Sequence, residues 1–247
     1  MYASHLAPST SGAPLPPFDI QAGPSTLASA FASRPMETLA AGEAAFWEGD
    51  AASHAVQVVD GCFRLYRILA DGRRAIMGFV FAGETLGLSC QGTYRYTAEA
   101  ITRGQVRRLG RSQLQAMTEG SERLRSLVLA HILEEMNAAH HHIIVLGQMG
   151  AEERVAHFLV SAAHRTGADC ECPVAIEVPM TRLDIADYLG LTLETVSRVM
   201  SRFRRDGLIA LEGRSRVVLR RMSRVQELAG EVEEDLCSTS CMTAWPH

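Results

Sequence analysis

Three polar side chains lie close together near the start of a predicted helix: Glu194, Ser197 and Arg198. Their spacing of i, i+3 and i+4 places them on one face of that helix. Arginine can bond both acceptors of one guanine, glutamate accepts from an exocyclic base amine, and serine bonds either way. This pattern predicts hydrogen bonding to base edges in a DNA groove. The alternative interpretation is an ordinary solvated face on a surface helix.

The elements around these residues predict a helix-turn-helix. Thr181 is placed to cap a first helix, and Gly190 ends it. Thr192 caps the second helix, which ends at Asp206-Gly207. Two short helices joined by a turn that contains glycine are typical of DNA-binding modules. The apolar positions expected to join the helices are Leu183, Ile185, Ala186 and Leu189 in the first and Val196, Val199, Met200 and Phe203 in the second.

A β-hairpin is predicted over residues 208–220, with its turn at Gly213, and it would form a wing whose arginines reach phosphates. From Arg182 to Arg224 there are ten arginines and five acids, a net charge of +5, whereas the whole chain carries −4, which leaves −9 elsewhere. A basic module on an acidic body indicates localised nucleic-acid binding. The residues predicted to contact DNA are Glu194, Ser197, Arg198, Thr192, Thr195, Ser201, Arg202, Arg182, Arg214 and Arg216.

The rest of the chain divides by composition. Residues 1–33 are rich in Pro, Ser and Ala, so we expect them to be disordered. Residues 34–118 alternate short apolar runs with Asp-Gly turns, which predicts a small β-roll followed by a short helix. A long helix is expected within 119–148, the DNA-binding module within 149–225, and a loosely held polar tail over 226–247.

The predicted long helix carries a heptad-like stripe. Such a stripe between two compact modules predicts a homodimer seam, although burial against its own module is a compatible alternative. His142 is expected to face the seam and His140 the solvent. The stripe consists of Leu124, Leu127, Val128, His131, Ile132, Glu135, Ala138, Ala139, His142, Ile143 and Leu146.

Several classes of protein do not fit the sequence. No apolar run approaches the roughly 18 residues of a membrane span, and no secretory signal is visible, so we expect a cytoplasmic protein with reduced cysteines. The only histidine within residues 37–109 is His54, so no cupin-type metal site can be assembled there, and we expect no enzyme activity, no metal and no cofactor. Cys170 and Cys172, in the loop before the DNA-binding module, are candidates for redox sensing.

Together these features resemble the CRP/FNR family of bacterial transcription regulators over about residues 35–221. The resemblance is greatest to its FixK branch, whose members regulate genes for low-oxygen respiration and nitrogen fixation. It implies an α+β fold with a cyclic-nucleotide-binding-like β-roll, a dimerisation helix and a winged helix-turn-helix, and it implies an activator that contacts RNA polymerase. The motifs that carry it are Gly42-Glu43, Glu48-Gly49-Asp50, Asp60-Gly61, residues 70–74, residues 83–88 and residues 193–198.

The recognition helix distinguishes branches of this family. CRP-type members have an arginine and a glycine where this chain has Leu193 and Ser197. The pattern here is similar to that of FNR and FixK, which implies TTGA/TCAA half-sites. Arg198 would then read the guanine, Glu194 its base-pair neighbourhood, and Ser197 a thymine edge. A two-fold dimer predicts a palindromic double-stranded site, with half-sites about one helical turn apart.

The family resemblance leaves the sensed signal open. An FNR-type iron–sulfur cluster is excluded because no cysteine precedes Cys62. Cyclic nucleotide binding is disfavoured because Leu88 replaces the expected acid and Arg95 is followed by Tyr96. Three adjacent histidines, 140–142, point about 100° apart on a helix and cannot share one metal ion. The alternative to an effector-free regulator is a ligand-gated one that senses nitric oxide or oxygen through heme, or a nucleotide.

Overall fold

The computed structural model describes residues 26–165 and 173–230, which form a β-roll, a long helix and a C-terminal module. The strands of the roll make two four-stranded antiparallel sheets, with orders β1-β8-β3-β6 and β2-β7-β4-β5. They are β1 (Met36–Leu39), β2 (Ala44–Phe46), β3 (His54–Asp60), β4 (Phe63–Ile68), β5 (Arg74–Val80), β6 (Thr85–Leu86), β7 (Thr97–Ala100) and β8 (Gly104–Gly110). The predicted β-roll is therefore present.

The Asp60-Gly61 turn between β3 and β4 requires glycine. Gly61 has φ 90°, and a Cβ there would lie 2.7 Å from the Cα of Gly104. Because a side chain cannot approach backbone so closely, any other residue would separate this turn from the start of β8. The turn directs Val58 and Phe63, both fully buried, into the core of the roll.

Residues 1–33 were expected to be disordered, but a short 3₁₀ helix forms at Ala28–Phe31, so that part of the prediction is wrong. Phe31 is fully buried and packs in a cluster with Leu109 and Leu124. Burial of such a side chain contributes about 1.5–3 kcal/mol, enough to hold the segment against the roll. The Pro-, Ser- and Ala-rich composition of residues 1–33 did not indicate that Phe31 is buried. Residues 1–25 lie outside the described part of the chain.

Two helices follow the roll: α1 (Arg111–Gly120) and α2 (Glu122–Gln148). The Ser121 side chain caps α2 by accepting from the N–H of Leu124 at 3.2 Å. Leu124, Val128 and Ile132 pack against the chain's own roll, so the first part of the predicted seam is buried within the monomer. Further round α2, Leu129, Leu133, Met136 and Ile143 are exposed, as are Ile144 and Leu146. Burial of the first part of the stripe against the chain's own roll is the compatible alternative stated above, and the dimer seam stays a prediction.

The C-terminal module contains α3 (Ala151–Arg165), β9 (Val174–Glu177), α4 (Arg182–Leu189), α5 (Leu193–Arg205), β10 (Ile209–Glu212), β11 (Arg216–Leu219) and α6 (Met222–Leu228). Its sheet has the order β10-β11-β9, and sequence analysis missed β9. The predicted boundary at residue 225 is too early, because Val225 and Ala229 are fully buried. Residues 231–247 lie outside the described part. None of the helices within 26–165 and 173–230 combines the length and apolarity that crossing a bilayer requires.

Candidate nucleic-acid interface

Helix α4 begins at a reciprocal capping box. The Thr181 hydroxyl accepts from the N–H of Asp184 at 3.1 Å, and the Asp184 carboxylate accepts from the N–H of Thr181 at 3.0 Å. The helix ends at Gly190, whose φ of 62° is the left-handed conformation that glycine adopts most easily. Leu183 was predicted to face the core, but its side chain is 50% exposed. Ile185, Ala186 and Leu189 are buried as expected.

Helix α5 has one apolar face and one polar face. Thr192 caps it, since its hydroxyl accepts from the N–H of Thr195 at 3.2 Å. The buried residues of α5 are the four predicted ones, and they join a core that includes α4, α3 and the wing: Val196, Val199, Met200 and Phe203. Burial of that face fixes the rotation of α5 and turns its other face outwards.

The predicted base-reading residues lie on the outward face of α5. Glu194 and Arg198 are exposed, and Ser197 is half-buried. The Arg198 Nε donates to the carbonyl of Glu194 at 3.4 Å, so its guanidinium is free to bond with other acceptors. Hydrogen bonds from the Glu194 N–H and the Thr192 side chain lower the pKa of the Glu194 carboxyl, which keeps it an ionised acceptor. Ser201 is exposed further along the same helix.

Three arginines of the predicted DNA-contacting set surround one concavity between α4 and the wing. Arg182, Arg214 and Arg216 all line it. Burial lowers the pKa of Arg182, whereas Arg216 is exposed and lies 3.4 Å from Glu212. Within the described residues, the predicted contact set thus divides into a base-facing group on α5 and this arginine group beside it.

Arg202 differs from the other predicted contacts because it already has acidic partners. Its guanidinium pairs with Glu152 at the start of α3, and its Nε lies 3.7 Å from Asp206. Glu152 lines the same surface concavity as Ser197 and Arg198. An acid beside a DNA-facing arginine was not predicted, because no local pattern links residues 152 and 202.

Two acids of α4 face the β-roll. Asp184 and Asp187 pair with Arg74 of β5, at 2.7 and 2.8 Å, and Asp184 also pairs with Arg64 of β4 at 3.1 Å. Burial raises the pKa of Asp184, but hydrogen bonds from Thr181 and the charges of both arginines outweigh it, so the pKa is lowered. Sequence analysis missed these contacts because their partners are more than 100 positions apart.

Comparison with known proteins identifies both modules. Residues 36–121 match the cyclic nucleotide-binding domain family, and residues 153–228 match the Crp-like helix-turn-helix domain family. The nitrogen fixation regulation protein FixK of Rhizobium meliloti is 40% identical over 178 residues, covering 72% of this chain and 79% of that protein. The chain belongs to the CRP/FNR family of transcription regulators. Among them it is FixK-like.

Two further matches agree with this membership of the CRP/FNR family. The transcriptional activator protein FnrL of Cereibacter sphaeroides is 34% identical over 195 residues, covering 77% of this chain and 79% of that protein. The solved structure of FixK2 from Bradyrhizobium japonicum is 35% identical, with a TM-score of 0.74, and the match covers 79% of this chain and 96% of that one. The chain is a DNA-binding regulator of the dimeric CRP/FNR type.

The β-roll of this CRP/FNR regulator has buried side chains at the positions where sequence analysis sought nucleotide contacts. Leu88 is buried at the position where the acid was expected, and Arg95 is exposed. Tyr96 is buried, and its hydroxyl accepts from the N–H of Gly87 at 3.3 Å. Tyr94 stacks on Phe46 with ring centroids 3.8 Å apart. Aromatic rings, rather than a pocket for ribose and phosphate, therefore occupy this part of the roll.

One of the two histidine placements on α2 is confirmed and the other is not. His140 is exposed, as predicted, and it continues the spacing of the exposed apolar face of α2. His142 instead stacks on Tyr188 of α4 in its own chain, with centroids 4.1 Å apart, and His141 bonds His157 of α3 through their Nε2 atoms at 2.7 Å. In residues 26–165 and 173–230, no three His, Cys, Asp or Glu side chains are grouped to hold a metal ion.

The cysteines of this regulator divide between the core and parts outside the described structure. Burial raises the pKa of the Cys62 thiol to about 12, so the group stays a protonated, unreactive thiol. Cys90 is also buried. The predicted redox candidates, Cys170 and Cys172, lie outside the described residues.

Proposed function

We propose that this FixK-like regulator binds TTGA/TCAA palindromes as a homodimer, without a small-molecule effector. The observation that carries this proposal is the outward face of α5, where Glu194, Ser197 and Arg198 stand together above a fully packed core. Arg198 reads the guanine, Glu194 accepts from a neighbouring base amine, and Ser197 contacts a thymine edge. Thr192, Thr195 and Ser201 flank them, while Arg182, Arg202, Arg214 and Arg216 contact phosphates.

The exposed face of α2 supports a two-fold dimer through this helix. Leu129, Leu133, Met136 and Ile143 are each 46–65% exposed, at spacings of four, three and seven residues. That spacing follows a heptad seam, and pairing with a second copy would remove all four side chains from water. Two recognition helices related by this axis would read two half-sites of one palindrome.

The filled interior of the roll supports effector-free binding. Tyr94 and Tyr96, beside Arg95, are only 4% and 5% exposed, and Leu88 is buried where an acid for a ribose was expected. A ligand can shift a conformational equilibrium only if it binds one state more tightly, which requires a site. Control of this protein by its own synthesis, turnover or oxidation is therefore proposed in place of ligand gating.

The biological assignment follows the relatives. FixK and FnrL are named as a nitrogen fixation regulation protein and a transcriptional activator. By that likeness the chain acts in the cytoplasm, contacts RNA polymerase, activates genes for low-oxygen respiration or nitrogen fixation, and is not an enzyme.

Selection of duplexes from a random library with purified, effector-free protein tests the proposal. Enrichment of paired TTGA and TCAA half-sites at a fixed spacing is the expected result. Enrichment only after heme or a nucleotide is added, or a Soret band in the purified protein, would instead establish the ligand-gated alternative.

A further inference from the structure

A buried charge network joins the β-roll to the helix-turn-helix. Its centre is Asp184, whose side chain is 1% exposed and pairs with both Arg64 and Arg74. Arg74 also holds Asp187 at 2.8 Å through Nη2 and 3.1 Å through Nε. Every one of these pairs crosses from the sheet of the roll to helix α4.

The roll holds its side of the network rigidly. Arg64 pairs with Glu99 of β7 at 2.5 Å, and Glu99 also accepts from the Tyr66 hydroxyl at 2.8 Å. Glu99 is 8% exposed. The roll therefore holds the Arg64 guanidinium through Glu99, whereas the charged partners of Arg74 both lie on α4.

A second set of contacts ties α3 to the same sheet. Arg165 donates to the carbonyl of Phe79 at 2.7 Å, and Phe79 packs edge-on against Tyr188 of α4 and Phe158 of α3. The polar network and this aromatic cluster together hold both α3 and α4 to β5. These direct contacts give the DNA-binding module a defined orientation on the roll.

We infer that Arg64 and Arg74 are positioning residues for DNA recognition: they fix α4, and through it α5, at the orientation that sets the distance between the two recognition helices of a dimer. They also neutralise Asp184 and Asp187, two of the five acids between Arg182 and Arg224, in a module that must approach phosphates. This inference rests on the proposed function and adds the means by which an effector-free dimer keeps one half-site spacing.

Arg74→Gln is the test variant, and Arg73→Gln is the matched control. Arg73 is adjacent, 77% exposed, and pairs with Asp71 of its own hairpin. Fluorescence anisotropy against TTGA/TCAA duplexes with spacers of five, six and seven base pairs measures both affinity and spacing preference. Small-angle X-ray scattering of the DNA-free dimer reports the placement of the modules, and circular dichroism checks that each variant is folded.

For Arg74→Gln we expect roughly tenfold weaker binding at the best spacing, a flatter dependence on spacer length, and an expanded scattering profile. Arg74→Lys should restore part of the preference, and Arg73→Gln should behave as wild type. Unchanged spacing preference, or an equal loss at every spacer with unchanged scattering, would overturn the inference. If wild type does not select TTGA duplexes, the proposed half-site fails, and the scattering of the two variants alone decides whether Arg74 positions the module.

Discussion

At the scale of single residues, base reading depends on side chains that are exposed yet constrained. Arg198 is held at the first part of α5 by a buried face on the same helix, so its guanidinium is presented in a restricted set of positions. Bidentate bonding to guanine requires such restriction, because a misplaced guanidinium loses one of its two hydrogen bonds.

Arg198→Ala should weaken binding to the TTGA palindrome by about 1–3 kcal/mol and should reduce discrimination at the guanine. The change removes a base contact and leaves the core of α5 intact. Anisotropy titrations on the palindrome and on a guanine-substituted duplex measure both effects. Arg204→Ala, which removes an exposed arginine outside the predicted contact set, is the control. Unaltered guanine preference in Arg198→Ala would contradict the assigned role.

Glu152→Gln should strengthen binding to the palindrome and to an unrelated duplex alike, by roughly two- to fivefold, because the exposed pair with Arg202 is worth at most ~1 kcal/mol. Release of Arg202 for a phosphate should also steepen the salt dependence by about 0.9. Titrations at several salt concentrations give both quantities.

Glu153→Gln is the matched control for this prediction, because it removes the same charge one position away. Glu153 accepts from the N–H of Gly150 at 2.5 Å rather than pairing with Arg202. Weaker binding by Glu152→Gln would mean that the acid holds Arg202 in its DNA-contacting position.

At the scale of elements, α2 serves two purposes with two faces. One face packs on the roll through Leu124, and the other leaves Leu129, Leu133 and Met136 exposed. The periodicity of the sequence predicted an apolar stripe on α2. Apolar residues of the buried face and of the exposed face are neighbours in sequence, as Val128 and Leu129 are, so the period alone does not separate the two faces. The choice between them depends on where the roll lies, which the helix sequence does not contain.

Leu133→Asp should dissociate the dimer, because it places a charge in the seam. Ala138→Asp, which puts the same charge on a different exposed face of α2, should leave the dimer intact. Sedimentation velocity at micromolar concentration measures the outcome. A dimeric Leu133→Asp protein would show that the seam lies elsewhere.

The junction of α2 and α3 should make stability depend on pH. Burial, followed by the charges of His141, His142 and His164, lowers the pKa of His157 to about 4. The unfolded chain therefore takes up a proton below its ordinary pKa of 6.5 that the folded chain does not. The stabilising contribution is complete above pH 6.5 and is lost as the pH falls towards 4.

Urea unfolding of His157→Gln, compared with wild type at pH 7, 5.5 and 4.5, measures this contribution. The wild-type free energy of unfolding should decline more steeply with acidification than that of the variant. His54→Gln, on β3 of the roll, is the control. Equal slopes in wild type and His157→Gln would show that this histidine does not carry the dependence.

At the scale of the whole molecule, local patterns predicted most of the elements and few of the contacts between them. The caps at Thr181 and Thr192, the break at Gly190 and the wing turn at Gly213 depend on neighbouring residues, so the sequence shows them directly. The strand β9 carries no turn signal of its own and is defined by pairing with β11.

The contacts between modules were not predictable in the same way. Arg64 and Arg74 lie in the hairpin of β4 and β5, and the sequence of that hairpin does not indicate which acids they pair with. Their shared partner, Asp184, lies on α4. The position of His142 has the same cause, since Tyr188 of α4 supplies its partner. Long-range partners follow from the assembled fold.

The most direct test of the central claim is fluorescence anisotropy of purified, effector-free protein on a TTGA-N6-TCAA duplex and on the same duplex with both guanines changed. We expect tight binding to the first duplex and much weaker binding to the second, with no added ligand. Weak binding to both duplexes, or equal binding to both, would contradict it.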